Sequence, residues 1–288
     1  MLIGVTLGLL TLIWGTTWSV IQIGLQGIPP FSGVAIRFSI AAVLLLGLTW
    51  LRGVSFGSGR HERMLWLVNG FLAFSISYGV VYWIEQWVPS SLAAVLFATY
   101  PLFVAILAHL MIPAERLHLR EIVGILIGFG GVGVIFSTDF DRLGGEGIAL
   151  AAGVMLISPL VSAVASVVVK RWGQGVHPFS LTAVPMAIAG VVMGVLALTV
   201  ERQRTFDWSG VAVAALLYLT ILGTIVTFTL YYWLLSHLQV KRLALLTYLI
   251  PMVAVAIGVM RGEPLTLRIL AGSILVVIGV WLAMRRRS

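Results

Sequence analysis

Phenol, indole, hydroxyl and carboxylate groups recur at helical spacing inside apolar stretches of this 288-residue chain. Ser75, Tyr78, Tyr82 and Glu85 follow one another at three- and four-residue intervals, which puts them on one face of a helix. Thr224, Thr227, Phe228, Tyr231 and Tyr232 form a second such set, Trp14, Thr17 and Trp18 a third, and Ser158, Ser162 and Ser166 around Pro159 a fourth. Thr99 and Tyr100 stand just before Pro101, and Thr247 and Tyr248 shortly before Pro251. A proline removes an intrahelical hydrogen bond and frees carbonyl oxygens for other partners. Aromatic faces, a few hydroxyls and freed carbonyls can hold a small molecule with an apolar body and a polar head. The alternative for each residue taken singly is aromatic packing, with Ser and Thr bonded to carbonyls of their own helix.

Covalent chemistry is poorly supported. The run Gly128-Phe-Gly130-Gly131-Val-Gly133 fits a dinucleotide fingerprint, and Gly53-Val-Ser55-Phe-Gly57 fits a hydrolase nucleophile elbow. The first lies inside an apolar segment, where small residues let helices approach closely. The second lies in a short basic loop, with no strand or soluble βαβ unit for either. The chain has no cysteine, which excludes disulfides, thiolate metal sites and Cys nucleophiles. "HERML" at His61 fails the zinc-helix pattern, and no P-loop occurs. No catalytic residue, metal or cofactor is therefore expected, and no ATP-driven pumping by this chain alone.

The elements that position these groups follow from composition. Hydrophobic residues make up 60% of the chain and charged residues 10%, against roughly 25% charged in soluble domains. A soluble fold of this length could not cover its surface with so few charges. The net charge of +8 is scattered among apolar runs, which fits membrane flanks and not a nucleic-acid partner. About twenty apolar residues cross a bilayer as a helix. Ten such segments are expected: Ile3–Leu25, Phe31–Leu51, Met64–Val88, Ser91–Ile112, Ile122–Ser137, Ile148–Val169, Pro178–Val200, Trp208–Ser236, Leu243–Met260 and Ile269–Met284. The first lacks a basic leader, so a cleaved signal peptide is not expected.

With the N-terminus inside, twelve Lys and Arg fall on the inner side: Arg52, Arg60, Arg63, Arg116, Arg120, Lys170, Arg171, Lys241, Arg242 and Arg285 to Arg287. Five fall outside: Arg142, Arg202, Arg204, Arg261 and Arg268. Both termini are thus expected in the cytoplasm. Trp50, Trp66, Trp87, Trp172 and Trp208 are expected at the membrane interfaces, and His109 near an inner helix end.

The two halves are copies. "PPFSGVAIRF" from Pro29 aligns with "HPFSLTAVPM" from His177. "VVYWIEQWVPSSLAAVLFATYP" ending at Pro101 aligns with "LYYWLLSHLQVKRLALLTYLIP" ending at Pro251, pairing Tyr82-Trp83 with Tyr232-Trp233. Further on, Glu115 pairs with Glu263, Gly124 with Gly272 and Gly131 with Gly279. Residues 1–137 and 146–285 are taken as the repeats. Each holds five segments, an odd number, so the second copy enters the membrane from the opposite side. Inverted repeats of this kind build secondary transporters with a substrate site near the midplane.

"IWGTTW" (Ile13–Trp18), "PFSGVAIRF" (Pro30–Phe38), "LAAVLFATYPLFVAIL" (Leu92–Leu107), "AERLHLREIVGILIGFGGVGVI" (Ala114–Ile135) and "GEPLTLRILAGSILVVIGVWL" (Gly262–Leu282) carry a resemblance. With them the chain resembles the drug/metabolite transporter superfamily and its EamA-type members, over nearly its whole length. The resemblance implies an all-α carrier in the cytoplasmic membrane for small polar metabolites, often amino acids moved outward. The second copy departs from the first in having Ser162-Ala163 for Trp14-Gly15 and Pro185 for Arg37, so the pocket need not be symmetric.

The expected substrate-binding set is Trp14, Thr17, Trp18, Tyr78, Tyr82, Tyr100, Ser158, Ser162, Thr227, Phe228, Tyr231 and Tyr248, with helix kinks at Pro101, Pro159 and Pro251. Its aromatic lining favours neutral or aromatic amino acids; efflux of hydrophobic drugs or other metabolites is the rival reading. An intramembrane enzyme or receptor is a more remote one, opposed by the duplication. Arg37 lies two turns beyond Pro30, roughly 10 Å along the helix. Burying it alone in hydrocarbon costs at least about 2.5 kcal/mol, so a partner is required. Glu85 is the expected one, forming a structural lock, with a snorkelling arginine as the alternative. The functional reading of Arg37 is an anchor for a substrate carboxylate, or a gate that breaks when the pathway opens.

Overall fold

The computed structural model describes residues 2–57, 59–88, 90–135, 137, 146–253 and 266–284. Among them there is no strand, and eight helices are long and apolar enough to span a bilayer. In the first copy α1 is Leu2–Leu25, α2 Pro30–Leu51 and α3 Arg60–Ile84. α4 is split into Ser90–Phe97 and Tyr100–Met111, and α5 is Leu119–Ile135. In the second copy α6 is split into Glu146–Met155 and Ile157–Trp172, α7 is Ser180–Val200 and α8 Gly210–His237. α9 begins at Val240–Ala244 and tightens into a 3₁₀ turn, Leu245–Tyr248; α10 is Leu267–Met284.

Helix ends depart from expectation where capping groups act. α3 starts a turn earlier than Met64, because Glu62 in its first turn complements the helix dipole. α5 starts at Leu119, where the Glu121 carboxylate accepts the His118 N–H. α9 starts at Val240 instead of Leu243, because Glu115 accepts the Val240 and Lys241 N–H groups. Residues 254–260 of the expected ninth segment lie outside the described residues. So do Glu263, Arg142, Arg261, Asp139, Asp141 and Arg285 to Arg287.

All three expected kinks coincide with breaks. α4 is interrupted at Ala98 and Thr99 before Pro101, α6 at Leu156 before Pro159, and α9 passes through its 3₁₀ turn before Pro251. Pro185 leaves α7 continuous, but the carbonyl it deprives of a donor, Leu181 O, accepts the Asn69 amide at 2.8 Å. The third helix of each copy carries a π-helical stretch, Asn69–Ile76 in α3 and Ile221–Val226 in α8. In each a hydroxyl bonds the carbonyl five residues back, Ser75 to Gly70 and Thr224 to Leu219, both at 2.8 Å.

Glycines bring the copies together. A Cβ on Gly124 would lie 2.7 Å from Gly279 O, and one on Gly272 2.7 Å from Gly131 O. Gly124 and Gly272 are repeat mates, as are Gly131 and Gly279. α5 and α10 therefore cross antiparallel, with each contact repeated by its counterpart, as two inverted copies require. α2 and α7 meet closely at Ser39 and Gly190. The continuous core runs between the two copies through Phe38, Phe74, Leu45, Met155, Met186 and Leu234. Large apolar side chains such as Leu44, Leu126, Val191, Leu198 and Trp281 face outward, where lipid would cover them.

Candidate functional site

A cavity of about 930 Å³, counted with its mouth, opens between the copies. α1, α3 and α4 of the first copy and α6, α8 and α9 of the second form its walls, with Arg37 entering from α2. Eight expected residues line it: Trp14, Thr17, Trp18, Tyr78, Tyr100, Ser162, Phe228 and Tyr231. Their rings form a connected lining. Trp14 packs on Phe228 and Tyr231, with ring centres at 5.7 and 5.6 Å, and Trp18 packs on Phe97, which stacks on Tyr100. Tyr78 and Phe228, repeat mates by sequence, meet at 6.0 Å.

Two hydroxyl clusters tie the copies together at this lining. Ser166 accepts hydrogen bonds from Tyr100 at 2.8 Å and Tyr231 at 2.9 Å, and the two phenols lie 2.9 Å apart. Ser77 is bonded to Ser158 and Ser162, both at 2.8 Å. By contrast the Thr17 hydroxyl bonds Trp14 O at 2.7 Å and the Thr247 hydroxyl bonds Ala244 O at 2.9 Å. Those two follow the plainer expectation of a threonine satisfied by its own helix.

Four expected binding residues lie behind the wall. Tyr82 is buried and its hydroxyl accepts from Arg37 Nη1 at 2.9 Å. Ser158 supports Ser77 from the second layer. Thr227 is buried with its hydroxyl unpartnered. Tyr248 bonds Ile125 O at 3.1 Å, and its ring covers Gly128, where a Cβ would lie 2.8 Å from the ring. Sequence proximity to Pro251 misplaced it: the 3₁₀ turn rotates Tyr248 towards α5 and leaves Thr247 and Ile250 at the cavity.

The expected Arg37–Glu85 pair is absent. Arg37 is 1% exposed. Its Nε donates to Thr224 Oγ1 at 2.6 Å, Nη1 to Tyr82, and Nη2 to Gly223 O at 2.9 Å. The π-helical stretch of α8 provides two of these acceptors, since its widened turn loosens the regular carbonyl ladder. The guanidinium also lies 5.1 Å from the Tyr78 ring centre and 5.6 Å from that of Phe38, close enough for cation–π attraction. Both Glu85 carboxylate oxygens are buried without a hydrogen-bond partner. Neutral acceptors thus meet the requirement that sequence reasoning assigned to a carboxylate.

Sequence reasoning also missed Phe97, Ser77 and Asn69. Phe97 precedes Tyr100 by three residues, so helical spacing alone could have placed it on the same face. Ser77 gave no signal beyond its polarity. Asn69 joins Leu181 O to the Tyr232 hydroxyl, the latter at 2.8 Å, a role visible only with α7 in place.

On the side expected to face the cytoplasm, basic residues are built into the packing. Lys241 is 2.8 Å from Glu121 and donates to Arg116 O, and Lys170 donates to Leu235 O at 2.8 Å. His109 accepts the Leu117 N–H near the end of α4. Trp50, Trp87 and Trp208 are exposed near helix ends, as interface residues would be. Trp66 instead bonds Ser180 Oγ.

Residues 2–137 and 149–285 each match the model of the EamA-like transporter family. The chain is 32% identical to the uncharacterized inner membrane transporter YedA of Escherichia coli K12, covering 89% of this chain and 82% of that one. It is 24% identical to the uncharacterized transporter YoaV of Bacillus subtilis, over 98% and 97% of the two chains. Protein PagO of Salmonella typhimurium is 25% identical, over 97% and 92%. A crystal structure 18% identical in sequence superposes with a TM-score of 0.81 over 98% of this chain and 96% of that one, so the fold is shared. Two copies of one five-helix unit, joined around a cavity in the apolar region and matched twice by the same family model, make this chain a member of the EamA-like transporter family: a multi-pass membrane transporter and not an enzyme.

Proposed function

We propose that this transporter moves small amphipathic metabolites, foremost neutral or aromatic amino acids, out of the cell by alternating access, with both termini in the cytoplasm. One observation carries the reading. The cavity lies where the two inverted copies meet, and repeat-mate residues Tyr78 and Phe228 pack edge to face in its wall. If the copies exchange conformations, the inward-open and outward-open states become near equivalents of similar energy, and the shared cavity opens to either side in turn. The aromatic walls suit an apolar side chain, while the Tyr100–Ser166–Tyr231 and Ser77–Ser162 hydroxyls offer exchangeable hydrogen bonds to a polar head.

Efflux of hydrophobic drugs is the second reading, favoured by the aromatic surface and opposed by a buried arginine in the wall. Purified protein in liposomes, tested with a panel of labelled amino acids with and without a pH gradient, separates the two. Saturable uptake of aromatic amino acids is the expected result. Uptake of lipophilic dyes alone, with no amino acid moved, would overturn the proposal.

A further inference from the structure

The cavity wall is unbalanced in charge. Arg37 is a buried cation with no carboxylate partner, and no Asp or Glu lines the cavity among the described residues. Its hydrogen-bond partners Thr224, Tyr82 and Gly223 are all neutral acceptors. The indole Nε1 of Trp14, another wall residue, is buried without an acceptor. A buried donor left unpaired is costly, and a buried cation held only by neutral groups favours an anion nearby. The wall therefore holds positive charge and one unpaired indole donor and lacks a group that would neutralise a bound cation.

We infer that the cavity selects its substrates by their carboxylate, which docks against the Arg37 guanidinium and the Trp14 indole N–H while the apolar body lies against Tyr78 and Phe228. This deepens the amino-acid reading and rests on it. The carboxylate is the required group. A substrate ammonium meets only aromatic faces and hydroxyls, so aromatic monocarboxylates without an amine are accepted and amines without a carboxylate are not. Tyr82, Thr224 and Gly223 act as positioning residues. They fix the guanidinium plane from both copies, and a Cβ at Gly223 would come within 3.4 Å of Nη2. The second copy has Pro185 in place of this arginine, so the anion site is single and lies to one side of the pseudo-symmetric cavity.

A set of indole compounds differing only in the polar head tests this: tryptophan, indole-3-propionate, tryptophan methyl ester and tryptamine. Binding to purified wild-type protein in nanodiscs is measured by calorimetry, alongside liposome uptake of labelled tryptophan. The two acids are expected to bind at least tenfold more tightly than the ester and the amine. In Arg37→Gln the preference for acid over ester should shrink to less than threefold. Should that variant fold poorly, Trp14→Phe, which removes one donor and keeps the ring, should still reduce the acid preference without weakening ester binding. Equal binding of acid and ester with tryptophan transported would overturn the role of Arg37 and leave the amino-acid reading standing. A clear acid preference with uptake of no amino acid would overturn that reading and leave the anion site.

Discussion

The side-chain amide of Asn69 on α3 donates to the main-chain oxygen of Leu181 on α7 at 2.8 Å, filling the vacancy that Pro185 creates one turn later. The first copy thus repairs a defect in the second, and Tyr232 of α8 bonds the other end of the same amide. Removing the amide leaves an apolar-region carbonyl unpaired. Asn69→Leu is expected to lower stability by about 1 kcal/mol, the scale measured for hydrogen bonds between membrane helices. In a Pro185→Ala background the regular helical bond returns, and the loss should fall by about half, since only the Tyr232 contact remains at stake. Thermal unfolding of the four proteins in one detergent measures this. Equal losses in both backgrounds would show that Asn69 serves Tyr232 alone.

Arg37 and Glu85 make the next case, because each is buried and they do not pair. Arg37→Gln breaks three hydrogen bonds to a charged group and is expected to cost about 2–4 kcal/mol. Glu85→Gln keeps the shape of a carboxyl whose oxygens have no partner, so stability should be unchanged or higher. Denaturation midpoints of the two variants decide between this asymmetry and an ion pair, which would require similar losses from either side.

How far the sequence disclosed this arrangement depended on the kind of signal. Spans, repeats and kinks were legible because apolar length, matched prolines and paired glycines leave periodic marks on the chain. Eight of twelve expected binding residues reached the cavity, because aromatic and hydroxyl groups at helical spacing share a face. Tyr248 and Tyr82 failed for a different reason. Which face of a helix meets a neighbour depends on local winding, and the 3₁₀ turn in α9 and the π-helical stretches in α3 and α8 change that winding without any mark in the hydrophobic pattern. The partner of Arg37 was illegible because carbonyl and hydroxyl acceptors are supplied by every segment, whereas carboxylates are few and draw attention.

The α5–α10 crossing offers a steric prediction. At Gly124 a methyl group would meet the α10 backbone at 2.6 Å, while at Gly130 it would meet nothing within 4 Å. Gly130→Ala should therefore be neutral or slightly stabilising, since alanine is the better helix former. Gly124→Leu should force the helices apart and abolish the monodisperse folded fraction, because overpacking against backbone cannot be relieved by a rotamer change. Fluorescence-detected size-exclusion chromatography of the tagged variants gives the comparison. Equal profiles would mean that the crossing is looser than the close glycine contacts require.

Glu201 poses the last prediction, at the end expected to face outside. Pro29 and Pro30 carry no N–H, so the first free donors of α2 are those of Phe31 and Ser32. Glu201, just past α7, accepts both at 2.8 Å and the Ser32 hydroxyl at 2.6 Å, and it is 4% exposed. A negative charge at the C-terminal end of its own helix is unfavourable by dipole. Its position is explained by α2, whose N-terminus it caps with both oxygens. Glu201→Gln keeps one acceptor but turns an amide N–H towards backbone donors, and should cost about 1.5–3 kcal/mol. Gln203→Ala, on an exposed neighbour, should cost nothing measurable. Because the cap joins α2 to α7 away from the cavity wall, the loss should appear as a lower melting temperature with substrate preference unchanged. A shift in substrate preference at full stability would mean instead that Glu201 acts on the transport path.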